Sequence, residues 1–416
     1  MELLVDIQEA WPGQGPQPSL HMADVLIAGG GIAGSTLAIL LGRQGFTIEL
    51  FERGEFPKEK PCGEGLMPGG VAILRELGLL EASGGVPFYG VRYHFGGQTA
   101  EGLFPPSTSL PMTGRGQRRR HLDQVLFQAA AQTPGVSAHS GVQVDGPLVD
   151  SGKVVGLSVE GEPRRARLVV AADGVHSRIL HALGFDAPVR RRRLGVRGHF
   201  RLAVNQEQSP WVDVFVSRGH ELYVTPLPER EVLVAALVDT EALGGSLERA
   251  FQHWWKAEPA LAARLEGAEQ ITSLLCSCPL AGRARFGSAP GVVLLGDAAG
   301  FVDPITGGGM TQALQTAKLL AQYARRGLEK TERWIWCFER ERRTLLRDYR
   351  ALTQMVLWLA DHPTLAERLL SALRVSPALF SHLIGVSAGV RTFFRSESKF
   401  WRASGPVKEG PMGNVH

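Results

Sequence analysis

The chain has 416 residues, of which 44% are apolar and 21% charged, with a net charge of +4 and a pI near 9.0. That length exceeds one simple core and calls for two intertwined domains or one large domain with an insertion. The basic excess comes with no nucleic-acid reader motif, so nucleic-acid binding is set aside.

The first 22 residues carry no basic stretch followed by an apolar core. They do not read as a signal peptide, and their Gly, Pro and Gln content reads as a disordered leader. Residues 24–53 then form a β-α-β unit around Gly29-Gly30-Gly31-Ile32-Ala33-Gly34, a GxGxxG pattern between a strand and a helix. The second strand ends at Glu52, about twenty residues on, where a dinucleotide fingerprint wants an acid. Gly29 permits the tight turn, Gly31 lets backbone approach a pyrophosphate, and Gly34 lets helix and strand pack closely. Ile32 and Ala33 open a helix whose free N–H groups aim at the phosphates.

A loop from Pro57 leads to a helix near Pro68, and residues 86–104 alternate as a strand pair. Residues 119–131 have helical periodicity. Residues 143–159 read as a strand meander, and 166–172 as a buried parallel strand running into Asp173-Gly174. From Arg197 to Leu280 short alternating strands and one amphipathic helix read as an antiparallel sheet. A short apolar strand at 292–295 ends in Gly296-Asp297, a long helix follows from Gly308, and 332–394 is helical with Pro and Gly breaks. Arginine clusters stand at 115–120 and 190–193; the second reads as a solvated face rather than a phosphate site. Cys62, Cys276, Cys278 and Cys337 form neither a disulfide framework nor a zinc pair, so no metal site is expected and a reducing cytoplasm fits. No apolar run reaches the roughly 18 residues needed to span a bilayer.

Three motifs occur in order, each after an apolar strand: GxGxxG, Asp173-Gly174, and Gly296-Asp297 followed by Asp303-Pro304-Ile305-Thr306-Gly307-Gly308-Gly309-Met310. Together they resemble the FAD-dependent enzymes built on the para-hydroxybenzoate hydroxylase plan, which include aromatic monooxygenases, geranylgeranyl reductases and halogenases. The resemblance implies an α/β fold: a Rossmann-like FAD-binding domain over 23–87, 113–185 and 282–345. A substrate-binding β-sheet domain is inserted over 88–112 and 186–281, and a C-terminal helical region occupies 346–416. By the same resemblance, Asp297 bonds a ribityl hydroxyl, and Pro304, Gly307, Gly308, Gly309 and Met310 lie along the flavin. Asp173 and Gly174 link FAD to the NAD(P)H side; a turn-forming role is the alternative for Asp173. Arg119 approaches the pyrophosphate, with Arg118 and Arg120 as alternatives, and Arg53 flanks the adenine.

Pro61-Cys62-Gly63-Glu64-Gly65-Leu66 resembles a flavin-side loop of the geranylgeranyl reductase branch. Cys62 there tunes the flavin, donates a proton or simply packs. The prenyl reductase aromatic motif and the halogenase WxWxIP are absent, which favours a hydroxylase. The implied reaction uses NADPH or NADH and O2, through a flavin C4a-hydroperoxide, on an aromatic, polyketide or lipid-like phenol or quinone. The alternative is an FAD-dependent reductase of isoprenoid or quinone double bonds. His199, Phe215, Tyr223 and Pro226 are the candidate substrate-lining residues, with a satisfied structural histidine as the alternative for His199. The apolar tail from Leu357 to Phe394 reads as a helical cap, or as the entry for a lipid-like substrate with peripheral membrane contact. A cytoplasmic monomer or homodimer is expected.

Overall fold

The computed structural model describes residues 22–402, other than 108, 109, 111, 189–192, 218, 241–245, 279–282, 302, 329–332 and 395–398. The expected leader, apart from Met22, and Arg190, Arg191 and Arg192 therefore lie outside the described residues. In chain order the strands that build the site are β1 (Ala23–Ala28), β2 (Ile48–Glu52), β3 (Gly90–Phe95), β4 (Gln98–Leu103), β5 (Val136–Ser140), β6 (Glu162–Ala171), β7 (Arg193–Arg201), β8 (Trp211–Ser217), β9 (His220–Pro226), β10 (Glu231–Asp239) and β11 (Val292–Leu294). The helices are α1 (Ile32–Gly42), α2 (Pro68–Leu77), α3 (Arg119–Ala131), α4 (Leu247–Lys256), α5 (Pro259–Arg264), α6 (Gly309–Gly327), α7 (Arg333–Ala360), α8 (Pro363–Val375) and α9 (Pro377–Ser387).

The parallel part of the first, eight-stranded sheet runs β11-β6-β1-β2-β5. Its inner strands are covered on both faces, which is why they read as unbroken apolar runs. Helix α1 is apolar all round and packs with α6 over one face. Strand β5 went unread in the sequence. It is a sheet edge, with Ser137, His139 and Ser140 exposed, so it lacks the apolar signal of its neighbours.

The second sheet runs β7-β10-β9-β8-β3-β4 and is antiparallel except between β8 and β3. Period-2 alternation sends Phe215, Leu222, Val224 and Val234 to one face, where Phe251, Trp254 and Leu261 of α4 and α5 cover them. Tyr93, Val214, Val216, Glu221, Tyr223, Ala235 and Leu237 point to the other face, toward the site. Strand β7 begins at Arg193, so the change of texture starts earlier than Arg197.

The tail forms the expected helical cap. Pro363 and Pro377 each open a helix, where the missing N–H costs nothing. The two helices bend by 111° and lay Leu370, Leu373, Phe380 and Ile384 over β3 and β4. No single helix among the described residues is long and apolar enough to cross a membrane.

A Cβ on Gly34 would sit 1.9 Å from the Gly29 carbonyl oxygen. Gly34→Ala is therefore expected to cost about 1–3 kcal/mol. Thermal unfolding followed by circular dichroism should show a midpoint several degrees lower; an unchanged midpoint would contradict this packing.

Candidate functional site

A cleft opens where the C-terminal ends of β1 and β6 face the second sheet. The glycines of the two turns beside it separate into two kinds. Gly29 has φ +105°, and a Cβ there would meet the Ala172 carbonyl oxygen at 2.3 Å. Gly308 is required by packing, since a Cβ would lie 2.4 Å from the Tyr349 ring. Gly31 is different: its φ is an ordinary −78°, and the nearest atom to an added Cβ is Arg119 Nη2 at 3.9 Å. Gly309 is also open, with Phe301 at 3.9 Å. Neither glycine is demanded by the protein's own packing, and both line the cleft. They stand at the N-termini of α1 and α6, which have no side-chain cap, so unpaired N–H groups and the positive helix ends face the cavity. Space and donors of this kind fit the pyrophosphate and the electron-rich ring of a flavin dinucleotide.

Ile32, Ala33, Gly174, Gly296, Asp297, Pro304, Gly307 and Met310 also line the cleft. Glu52 lies buried at the end of β2, where its oxygens accept from the Gly30 and Gly54 N–H groups at 2.9 Å each, with Lys58 Nζ at 2.5 Å. Oε2 takes both Gly30 and Lys58, whereas Oε1, bonded to Gly54, keeps a second lone pair for a ribose hydroxyl. Arg53 is exposed. Asp173 does not line the cleft; its Oδ2 accepts from the Arg178 N–H at 2.9 Å, the turn-forming alternative. Burial raises its carboxyl pKa.

The three neighbouring arginines separate by partner. Arg118 bonds Glu231 and Arg120 reaches Glu59, whereas buried Arg119 lines the cleft beside Gly31. Burial pulls its guanidinium pKa down, but Asp123, at 2.8 Å from Nε, and the nearby Cys62 thiol outweigh this, and the net shift is upward. Cys62 lines the cleft, and its Sγ accepts from the Glu64 N–H at 3.4 Å.

A second cavity lies between the second sheet and α7, α8 and α9. Its walls include Phe95, Val214, Val216, Leu352, Leu369 and Phe380. Tyr223 lines both cavities, and Ile305 stands on the turn between them. The Tyr223 hydroxyl donates to the Ile305 carbonyl at 2.9 Å. Of the four residues expected to line a substrate site, only Tyr223 lines either cavity. Phe215 points to the opposite face and stacks on His94 at 4.3 Å. Pro226 is buried away from both cavities. His199 is fully buried, with Nε2 2.9 Å from Glu64 Oε2 and Nδ1 3.0 Å from Thr272 Oγ1.

The sequence reading missed Lys60, Glu64, Tyr93, Arg193 and Glu221. Lys60 lines the cleft 3.3 Å from Asp297. Glu64 lines it at φ +55° and also accepts from the Arg119 N–H at 2.9 Å. Arg193 is no solvated face: its side chain is 3% exposed and bonds Asp303 at 3.0 Å and, closely, Glu221. Its partners lie 28 and 110 residues away, beyond any local pattern. A local signal did exist for Tyr93 and Glu221, because strand alternation places them with Phe95 and Tyr223 on one face.

The chain belongs to the FAD binding domain family, whose model matches residues 22–324. It is 28% identical over 321 residues to the menaquinone reductase of Mycolicibacterium smegmatis, covering 72% of this chain and 76% of that one. It is 30% identical over 328 residues to the 6-methylpretetramide 4-monooxygenase of Streptomyces rimosus, covering 73% and 75%. The flavoprotein/dehydrogenase structure from Cytophaga hutchinsonii has the same fold, with a TM-score of 0.77 at 23% identity, over 88% of this chain and 92% of that one. The chain is thus an FAD-dependent oxidoreductase, with relatives named for both reduction and oxygenation.

Gly31→Ala should leave the apoprotein's thermal midpoint unchanged while abolishing stoichiometric FAD binding, because the new methyl group meets no protein atom closer than 3.9 Å. Titration of apoprotein with FAD, followed by flavin fluorescence quenching, checks this. Retained tight binding would remove the pyrophosphate role from Gly31.

Proposed function

We propose that this protein is an NAD(P)H-dependent FAD monooxygenase that hydroxylates a lipid-like phenol or quinone. One observation carries the reading: the apolar cavity behind the cofactor cleft shares Tyr223 with it and is separated from it by the Pro304–Gly309 turn. A long apolar molecule fits such a cavity, with its reactive ring at the Tyr223 end.

When bound, FAD supplies hydride acceptance and oxygen activation. The chain's own residues bind, orient and keep water out. Gly31, Arg119 and the α1 N-terminus would hold the pyrophosphate, Glu52 the adenosine ribose, and Asp297 a ribityl hydroxyl. The α6 N-terminus, opened by Gly309, would stabilise negative charge on the reduced ring. Met67, Phe88, Val212, Ala235 and Leu237 give the cleft an apolar wall that excludes water.

A second reading has its own support. Cys62 stands in the cleft beside Arg119, where a thiol can deliver a proton, and this favours reduction of an isoprenoid or quinone double bond. Oxygen separates the two. With a long-chain phenol present, the monooxygenase reading expects NADPH consumption to require O2 and to give one hydroxylated product. Anaerobic turnover of a quinone or polyprenyl double bond, abolished in Cys62→Ala, would establish the reductase instead.

Substrate entry brings in the membrane. Met355 both lines the apolar cavity and is 37% exposed, and Trp358, Leu365 and Leu379 stand exposed nearby on α7, α8 and α9. This mouth would rest on a bilayer as a peripheral contact. Trp358→Glu with Leu379→Glu should reduce co-sedimentation with phosphatidylglycerol-containing vesicles several-fold without loss of FAD. Equal sedimentation of variant and parent would refute the contact.

A further inference from the structure

The apolar cavity carries its polar groups at one end. Tyr93, Glu221, Tyr223 and Thr306 line the part next to Ile305, while Leu359, Leu369, Leu370 and Leu383 line the rest. Cross-strand register sets this up. Val214 pairs with Tyr93 on one side and Tyr223 on the other, so the two phenols share a row across one face of the sheet. Glu221 precedes Tyr223 by two residues and points the same way.

The tyrosines near the turn differ in how their hydroxyls are used. Tyr223 donates to the Ile305 carbonyl. Tyr349 accepts from the Gly308 N–H at 3.3 Å. Both hold the turn that separates the two cavities. Tyr93 packs its ring against Phe380 at 5.9 Å, and its hydroxyl has no hydrogen-bond partner among the described residues. A phenylalanine would fill that place in an apolar wall without leaving a polar group unsatisfied. Burial, reinforced by the Glu221 carboxylate, pushes the Tyr93 pKa up to about 12. The phenol thus keeps its proton throughout the neutral range and remains a donor.

We propose that Tyr93 is a specificity-determining residue that donates a hydrogen bond to the oxygen on the ring head of a long-chain phenol or quinone. The head lies by the Ile305–Gly307 turn, and the chain runs between α7, α8 and the sheet. This rests on the lipid-like substrate reading above. It adds that the oxygen-bearing end enters first and that a hydrocarbon of the same shape gains nothing from this contact.

The test uses the full-length FAD-loaded protein and three probes of one shape: decyl-1,4-benzoquinone, 4-decylphenol and decylbenzene. Binding is followed by perturbation of the flavin absorbance, in the parent and in Tyr93→Phe. In the parent both oxygenated probes should bind more tightly than decylbenzene. Tyr93→Phe should weaken the oxygenated probes by about tenfold, the worth of one hydrogen bond, and leave decylbenzene unchanged. FAD stoichiometry and thermal midpoint confirm that the variant is folded. Unchanged affinities in Tyr93→Phe, or equal weakening of all three probes, would overturn the assignment of Tyr93 alone. Failure of the parent to bind any of the probes would overturn the lipid-like substrate reading and this inference with it.

Discussion

The relation between the two sheets depends on one buried cation. Arg193 opens strand β7, and its guanidinium bonds Asp303 on the turn after the first sheet and Glu221 on the second. Asp303 Oδ1 also accepts from the Ile305 N–H at 2.9 Å, which sets the start of the Pro304–Thr306 turn. With the Tyr223–Ile305 bond, the Arg193 side chain fixes how the second sheet stands against the turn dividing cofactor cleft from apolar cavity. Burial lowers the guanidinium pKa, but Glu221 and Asp303 more than offset it, and the net shift is upward. Such a cluster adds little net stability compared with an apolar one, yet removing one partner generally costs about 3–5 kcal/mol. Its worth here lies in geometry: it specifies one arrangement of two elements that apolar packing alone would leave free to slide.

A second buried pair does the same on the other side of the cleft. Glu64 and His199 are both fully buried and 2.9 Å apart, joining the Cys62–Leu66 loop to the middle of β7. The other Glu64 oxygen takes the Arg119 N–H at the start of α3. The loop is held besides by Thr225, whose hydroxyl donates to the Gly63 carbonyl at 2.8 Å. These bonds sustain the left-handed backbone at Glu64, a conformation that costs a non-glycine residue about 1–3 kcal/mol. Strain kept beside a cofactor cleft is consistent with a loop whose position matters more than its stability. Cys62 and Arg119 inherit their placement from this carboxylate, although neither is bonded to its side chain through a side chain of its own.

How far the sequence could be read follows from the range of each interaction. The glycine turn, Glu52, Asp297 and the 304–310 segment were legible because their chemistry is local: a strand, a turn and a helix N-terminus adjoin in the chain. Helix α3 was legible for the same reason, through its periodicity. Strand β5 was not, because an edge strand keeps polar side chains outward. The run ending at Arg193 looked like surface since its counter-charges are distant in sequence. His199 could be read as ligand-facing or as a satisfied structural histidine, and nothing local decided between them, because its partner, Glu64, lies 135 positions away. Phe215 was assigned to the wrong face for a different reason. Strand alternation says which residues share a face, but only α4 and α5 decide which face is core and which looks on the cavity.

The choice between oxygen transfer and reduction comes down to what the cleft wall can donate. Reduction of a carbon–carbon double bond needs a proton placed at carbon, and among the described cleft-lining residues the acidic hydrogens near the apolar wall are few. Tyr223 has its hydroxyl hydrogen committed to Ile305, and burial with the Glu221 charge holds its pKa well above the ordinary value, which makes it a poor acid. Thr225 has its hydroxyl committed to Gly63. Cys62 remains, and reduction would have to draw its proton from this thiol. Oxygen transfer asks for less from the protein: a dry wall, a ring held in place, and a positive helix end near the reduced cofactor. Ala235, Leu237, Val212 and Phe88 supply the first, and in the proposed reading the Tyr223 row would supply the second and α6 the third. The residues that surround the cleft are therefore better matched to keeping water away from a reactive cofactor than to moving protons within it.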